Sequence, residues 1–326
     1  MSPKKQEYVV GIDLGGTKIY AAVVDHKGRI LGVGRKRTKA ELGFETTVER
    51  MAVCVKEAVA EAEVNFDEVI AVGVGSPGPL DLKRGTIIET PNLGWKDAPL
   101  KASLKILLKR PVAIDNDGNV GLLGEFAYGA GHGCRDMVGL FIGTGIGGGV
   151  IINGKLLHGF NENAGELGHM IMNPEGPMCG CGTRGCLEAF ASRLAIEREI
   201  RAAVAGGAAA AIFDNVEKPD APLRSKRLSE AFAAGDAAVV AAVEKSARYV
   251  GYGVASLLNI FNPEVVVIGG GVVEAIGEPY VRLVEQTAAQ NVFKIALRNV
   301  RIVAAELKDD SAVLGAAMLA WQKAYK

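Results

Sequence analysis

The 326-residue sequence predicts an α/β protein built from two related halves. Three observations predict it: a β-meander that occurs twice, glycine-rich turns at matching places in the two copies, and alternation of β-branched runs with helical-period segments. The first copy, VVGIDLGGTKIYAAVVDHKGRIL, starts at Val9, and the second, MVGLFIGTGIGGGVIINGKLL, at Met137. Each reads as a β-branched strand, a glycine-rich turn, a second apolar strand, a tight turn and a third strand. The tight turns are His26-Lys27-Gly28 and Asn153-Gly154, and Asn-Gly between alternating hydrophobics is a strong hairpin signal. Two copies of one meander about 130 residues apart point to duplication, with a cleft between the halves.

The remaining elements alternate. Glu45 to Val64 carries Val48, Met51, Val55, Val59 and Ala62 at helical spacing, with Thr46 and Thr47 as N-cap candidates. A strand from Val69 to Gly75 runs into the turn SPGP. A helix from Ser103 to Lys109 and a short strand from Pro111 to Asp115 follow, then helices from Asn119 to Ala130 and from Glu188 to Val204. Gly206 to Ser229, with Pro219 and Pro222, reads as a loop. Asp236 to Asn259 reads as a long helix, Val265 to Ile268 as a strand before the loop GGGV, and Val300 to Glu306 as the last strand before a helix from Ser311 to Ala324.

Composition bounds the function. Hydrophobic residues make up 49% and charged residues 23%, a globular balance that excludes disorder. Lys+Arg and Asp+Glu are both 37, so no global charge draws the chain to nucleic acid or an anionic membrane. The apolar windows AAVAGGAAAAIF and VVVIGGGVV are too short to span a bilayer. MSPKKQE leads into a strand with no apolar stretch behind its charges, so no leader is expected. The five cysteines imply no disulfide framework, which suits a reducing compartment and a cytoplasmic protein.

Three of those cysteines sit within eight residues. His169, Cys179, Cys181 and Cys186 form H-x9-C-x-C-x4-C, with Glu166 and Glu188 flanking them. Three thiolates and an imidazole make a closed tetrahedral set for Zn²⁺. The spacing is not that of a zinc finger, so the reading rests on ligand type and clustering.

Two glycine loops point to phosphate. In Asp13-Leu14-Gly15-Gly16-Thr17-Lys18 the paired glycines expose backbone N–H groups, Thr17 adds a hydroxyl, and Asp13 is placed to hold Mg²⁺ through water. Gly143-Thr144-Gly145-Ile146-Gly147-Gly148-Gly149 contains a literal GxGxxG. A strand, Gly149 to Asn153, is expected after it, so the dinucleotide-fold reading fails its own context. Two phosphate-type turns on related hairpins fit a nucleoside triphosphate instead. Asp115-Asn116-Asp117 closes a strand and opens a helix. A carboxylate there can take a proton from a hydroxyl and Asn116 can bond a polyol, but Asp117 is equally suited to helix capping.

DLGGTK, IDND, GTGIGGG, ELGH, CGCGTRGCLE and IGGGV, in this order, resemble the ROK family of sugar kinases, within the actin-like ATPase (ribonuclease H-like) superfamily. The match runs from about Val9 to Trp321, and the complete zinc motif places the resemblance in the glucokinase and hexosamine-kinase branch. The resemblance implies a smaller N-terminal domain, residues 1–117 plus 311–326, and a larger zinc-bearing domain, residues 118–310. It makes Asp117 the general base and Asn116, Glu166, His169 and Glu188 sugar ligands, with His169 giving one nitrogen to zinc and the other to the sugar. Gly75 and Asn92 would line the sugar pocket, and Gly269, Gly270 and Gly271 would approach the adenosine. Asp13, Gly15, Gly16, Thr17, Lys18, Gly143, Thr144, Gly145 and Gly147 complete the nucleotide side.

The implied activity is ATP- and Mg²⁺-dependent phosphorylation of a hexose, glucose first, by a homodimer with structural zinc. N-acetylglucosamine, N-acetylmannosamine, mannose or fructose as acceptor, and polyphosphate as donor, are alternatives within the same chemistry. A sugar-responsive repressor is the alternative from another class. It is disfavoured, because no basic recognition helix precedes the first strand near Tyr8.

Overall fold

The run YVVGIDL has no polar face, so its strand belongs in a sheet covered on both sides. In the computed structural model, which describes residues 6–90, 92–209, 211–213, 223 and 225–325, it is the centre of the first sheet. Strands β1 (Tyr8–Leu14), β2 (Lys18–Val24) and β3 (Ile30–Arg37) form the expected meander, with antiparallel pairing throughout. After helix α1 (Phe44–Glu61), strand β4 (Val69–Ser76) pairs with β1 in parallel. Three short strands follow, β5 (Leu80–Asp81), β6 (Thr86–Thr90) and β7 (Trp95–Ala98), which make a separate antiparallel sheet. Helix α2 (Leu100–Leu108) returns the chain to β8 (Val112–Asn116), parallel to β4, and α3 (Asp117–Tyr128) leads away. The sheet order is β3-β2-β1-β4-β8.

The second copy repeats this plan. Strands β9 (Met137–Ile142) and β10 (Ile146–Ile152) pair antiparallel, and the two-residue β11 (Lys155–Leu156) completes the meander. Next come α4 (Leu187–Ala191), α5 (Arg193–Ala205), α6 (Ser225–Ala233) and α7 (Ala237–Phe261). Strand β12 (Val265–Gly269) pairs in parallel with β9. Helices α8 (Gly271–Ile276) and α9 (Glu278–Asn291) lead to β13 (Arg301–Ala304), parallel to β12, and α10 (Ser311–Ala324) ends the chain. In both sheets a meander strand is continued by two parallel strands, which is the duplication read from the glycine-rich repeats.

The described residues divide into two compact units. One runs through Gly133 and takes in Lys155–Gly165 and the chain from Asp309 onward; the other comprises Cys134–Gly154 and Glu166–Lys308. The first unit keeps α3, so its border lies later than the sequence-based one at Asp117. The physical reason is α10. A Cβ at Gly11 of β1 or Gly73 of β4 would overlap the carbonyls of Val313 and Ala316, and one at Gly124 of α3 would overlap that of Ser311. Helix α10 therefore lies directly on β1 and β4 and also clamps α3. Val10 and Ile12, on the other face of the pleat, join Val48, Met51 and Val55 of α1 in the core.

Several elements differ from the reading. Helix α1 starts at Phe44 with Gly43 as its N-cap, and Thr46 and Thr47 lie inside its first turn. Thr47 instead donates its hydroxyl back to Gly43 O at 2.9 Å, while Phe44 packs edge-on against Trp95. The single helix expected over Glu188 to Val204 breaks at Ser192, whose hydroxyl caps α5 by accepting from Ala195 N. Helix α6 begins at Ser225, inside the stretch read as a loop; residues 210, 214–222 and 224 of that stretch lie outside the described residues. Helix α9, which the reading omits, buries Tyr280, Val281, Val284, Thr287 and Ala288, a helical spacing visible in the sequence.

Candidate functional site

In the first unit the chemistry-bearing residues gather at the carboxyl ends of parallel strands, where open α/β sheets bind ligands. Asp13 of β1 is in register with Gly75 of β4, and Gly75 with Asp115 of β8. At the usual strand spacing the two carboxylate-bearing positions stand about 10 Å apart. Gly75 is needed between them. A Cβ there would strike Val120 of α3 and come within 3.8 Å of the Asp117 Cα, displacing the start of that helix.

Asn116 is the N-cap of α3, its Oδ1 accepting from Gly118 N at 2.8 Å. Asp117 is the first helical residue and is exposed, with Gly118 N also donating to its Oδ1 at 2.8 Å. The N-cap position belongs to Asn116, while the exposed Asp117 shares the same Gly118 N–H at the start of the helix. A Cβ on Gly78 would touch the Asn116 amide at 3.3 Å, so the SPGP turn packs closely on the same group.

The β1–β2 turn is a tight hairpin, Gly15 N donating to Lys18 O at 2.9 Å. Thr38, buried after β3, holds it from behind. Its hydroxyl donates to Gly15 O at 2.7 Å and its N–H to Thr17 O at 2.9 Å. Gly16, Thr17 and Lys18 are exposed. Asn92, expected at a sugar pocket, lies beside this turn, its Cβ 3.6 Å from where a Gly16 Cβ would stand. Burial pushes the Asp13 carboxyl up to about 6, with Lys18 opposing the rise and Asp309 adding to it. A carboxylate held this way, near a second acidic group, favours a cation beside it.

In the second unit His169, Cys179, Cys181 and Cys186 converge, and their ligand atoms all lie within 4.8 Å of one another. Cys179 Sγ is 3.7 Å from His169 Nδ1, and Cys181 Sγ is 3.7 Å from Cys186 Sγ. Metal–sulfur bonds of about 2.3 Å in a tetrahedron give edges of about 3.8 Å, so the separations fit one ion. A small knuckle builds the set. Cys179 N bonds Thr183 O, Met172 N bonds Gly185 O, and Gly182 and Gly185 turn the chain at positive φ. Burial pushes the Cys179 and Cys186 thiols up, while the Thr183 backbone pulls Cys181 down.

Glu188 links this cluster to the second glycine loop. Its Oε2 accepts from Ile146 N at 2.8 Å and its Oε1 lies 3.3 Å from Cys179 Sγ. Gly145 makes room for it, since a Cβ there would run into the Glu188 carboxylate. Glu166 opens the single 3₁₀ turn that ends at His169. Desolvation raises the Glu166 carboxyl, His169 opposes this and Glu188 adds to it.

The second loop is shorter than read. Only Gly143, Thr144 and Gly145 turn; Gly147 is a strand residue paired with Phe141, because β10 begins at Ile146 and not at Gly149. Arg193, which the sequence reading missed, anchors the turn through Arg193 N to Gly143 O at 2.9 Å and Nη2 to Thr144 Oγ1 at 3.0 Å. Gly269 ends β12, Gly270 at φ 90 is the N-cap of α8, and Gly271 is its first residue. A Gly270 Cβ would lie 2.7 Å from the backbone of Ile142, so this strand-to-helix turn abuts the end of β9 beside Gly143.

The ROK family model matches residues 9–323. The chain belongs to the ROK family. It is 36% identical to the glucokinase of Thermotoga maritima over 95% of this chain and 96% of that one. It is 32% identical to a xylose repressor of Caldicellulosiruptor bescii, over 94% of this chain and 76% of the repressor. Among solved structures, the Streptomyces griseus ROK glucokinase in complex with glucose and AMPPNP superposes with a TM-score of 0.84 at 35% identity, covering 97% of this chain and 99% of that one. The ROK hexokinase of Thermus thermophilus gives 0.82 at 38%, covering 98% and 99%. The two related sheets are those of the actin-like ATPase fold. Among the described residues no helix is long and apolar enough to cross a membrane.

Proposed function

We propose that the chain is an ATP-dependent hexose kinase that converts glucose to glucose 6-phosphate in the cytoplasm. The observation that carries the reading is Asp117, exposed at the helix mouth beside a cap that Asn116 already supplies. Asp117 takes the proton of the sugar 6-hydroxyl as that oxygen forms its bond to the γ-phosphorus; the bond from phosphorus to the bridging oxygen breaks, and ADP leaves with its electron pair. Asn116, Glu166, His169 and Glu188 bond the sugar hydroxyls. The first loop, the Gly143–Gly145 turn and the Gly269–Gly271 turn bind the nucleotide, the last near adenosine. The glucose- and AMPPNP-bound ROK relative supports both substrates. A kinase of another hexose would use the same groups.

Mg²⁺ fits Asp13, whose raised carboxyl stands near Asp309; when bound it neutralises charge on the transferring phosphate. Zn²⁺ fits the Cys₃His set and holds the sugar-binding turn in shape. Ligation would turn the Cys179 thiol into a thiolate that no longer donates to Glu188 Oε1, leaving that oxygen to a sugar hydroxyl. With its Nδ1 edge facing Cys179, His169 has its second nitrogen for the sugar. We also propose a homodimer. Ile260, Phe293 and Ile295 of the second unit are exposed, and Phe293 N donates to Asn259 next to Ile260, which suits self-association there.

The test is sugar-stimulated ADP release from Mg·ATP with glucose, mannose, fructose, N-acetylglucosamine and N-acetylmannosamine, on the parent and Asp117→Ala. The expected result is the highest kcat/KM with glucose and loss of turnover, about 10³-fold or more, in the variant with glucose binding retained. Preference for an N-acetylated sugar would overturn the substrate, and substantial kcat in Asp117→Ala would overturn the base.

A further inference from the structure

His158 lies outside every motif above, yet it contacts the strand end that leads into the base. Its Nε2 is 2.7 Å from Asp115 Oδ2, with the Asp115 side chain 2% and the His158 side chain 34% exposed. A carboxylate only accepts, so Nε2 carries the proton and donates. The other oxygen, Asp115 Oδ1, accepts from Asn116 N at 2.8 Å and from Asn119 Nδ2 at 2.9 Å. One buried carboxylate therefore ties the last residue of β8 to the first turn of α3, the junction on which Asn116 and Asp117 sit. The segment bearing His158 is itself held. Asn163 Oδ1 accepts from Leu80 N at 3.3 Å, and Glu162 Oε2 accepts from Leu82 N at 2.8 Å.

We infer that His158 is a positioning residue for phosphoryl transfer: through the Nε2–H bond to Asp115 it fixes the β8–α3 junction and so aims the Asp117 carboxylate. The inference rests on the reading of Asp117 as base. His158 does not touch substrate in this role. It orients the buried carboxylate so that its other oxygen faces the Asn116 N–H and the Asn119 amide, as outer partners orient the ligands of a metal. A misplacement of about 1 Å at a reacting group can cost about 10²-fold in rate, so a weak distortion at this junction suffices to register in kcat.

Two polar substitutions separate the roles. In His158→Gln the side-chain amide nitrogen reaches the place of Nε2 and can donate to Asp115; in His158→Asn it falls short. Both are assayed below their own melting temperatures for kcat, KM and equilibrium glucose binding, beside Asp117→Ala. The expected result is a kcat lowered about ten- to hundredfold in His158→Asn, glucose affinity within about threefold of the parent, and most of the loss recovered in His158→Gln. Hydrogen exchange gives a second readout, with the amides of Asn116 to Asn119 exchanging faster in His158→Asn than in His158→Gln. Equal kcat in the two variants, a loss confined to KM, or unchanged exchange would overturn the inference. If Asp117→Ala keeps its kcat, the base assignment has failed instead; if it is inactive while His158→Asn is not, only the positioning role has failed.

Discussion

The two β-meanders share one plan, but their glycine turns are held by different means. The turn after β1 is backed by Thr38, whose hydroxyl and N–H take the Gly15 and Thr17 carbonyls, and it has charged groups of its own in Asp13 and Lys18. The turn after β9 contains no ionisable side chain and borrows them from distant sequence, Arg193 onto Gly143 and Thr144 and Glu188 onto Ile146. The backbone plan was duplicated, whereas the chemistry was added to one copy inside the turn and to the other from outside it. A turn with its own carboxylate suits a cation and phosphate, and a turn latched to Glu188 ties the loop to the Cys₃His cluster.

The largest effect that can break this contrast is at Asp13. Asp13→Asn should lower kcat by about 10²-fold or more if its carboxylate holds the cation of the nucleotide. The same change should stabilise the protein in chelator. Asp13 is raised from 3.8 to about 6 in the folded chain, so the stability associated with it is present below about pH 4 and is lost as pH rises through about 6. The parent then carries a buried charge that the asparagine variant lacks. Thermal unfolding in EDTA should show the variant ahead at pH 8, by at most about 3 kcal/mol, and level with the parent near pH 4. A variant that is less stable at both pH values would show that Asp13 is a structural hydrogen-bonding group and not a cation site.

Metal removal sharpens the other side. The ligand set belongs wholly to the second unit, and Cys54 of the first is a fully buried residue of α1. In the metal-loaded protein a thiol reagent should find almost no reactive cysteine. Chelation should release one zinc per chain and expose Cys179, Cys181 and Cys186, while Cys54 and Cys134 stay protected until global unfolding. The second unit should lose several kcal/mol of stability, as closed structural zinc sites contribute directly to folding. If all five thiols reacted together on chelation, the cluster would support the whole chain and the two turns would not be independent.

The legible parts of this molecule are those where one local rule decides. β-Branched runs broken by glycine-rich turns located both meanders, with Asn-Gly marking the second, and the spacing of Val48, Met51, Val55 and Val59 located α1. Cysteine clustering located the cation set, since ligand type alone restricts the partners. The three-stranded sheet of β5, β6 and β7 stayed hidden because it follows directly on the turn SPGP and none of its strands is longer than five residues. His158 on Asp115 and Arg193 on Thr144 stayed hidden for another reason. Each bond spans more than forty residues, and nothing in a lone histidine or arginine says which distant group it will meet. Helix α9 is legible in the sequence, since Pro279 opens it where a helix-starting proline belongs.

The smallest expected effect concerns the device that backs the first turn. Thr38 is fully buried, and valine has nearly its shape, so Thr38→Val removes the hydroxyl bond to Gly15 O while leaving the backbone bond to Thr17 O. A buried carbonyl left short of one partner costs about 1 kcal/mol, and the turn gains freedom at Gly15 and Gly16. KM for Mg·ATP should rise about three- to tenfold, kcat should fall less, and KM for the sugar should not move. The three responses together are diagnostic, because Thr38 has no bond to Asn116 or Asp117 among those described. A rise confined to the sugar KM would mean that the first turn serves the acceptor, and the division of labour between the two hairpins would have to be reversed.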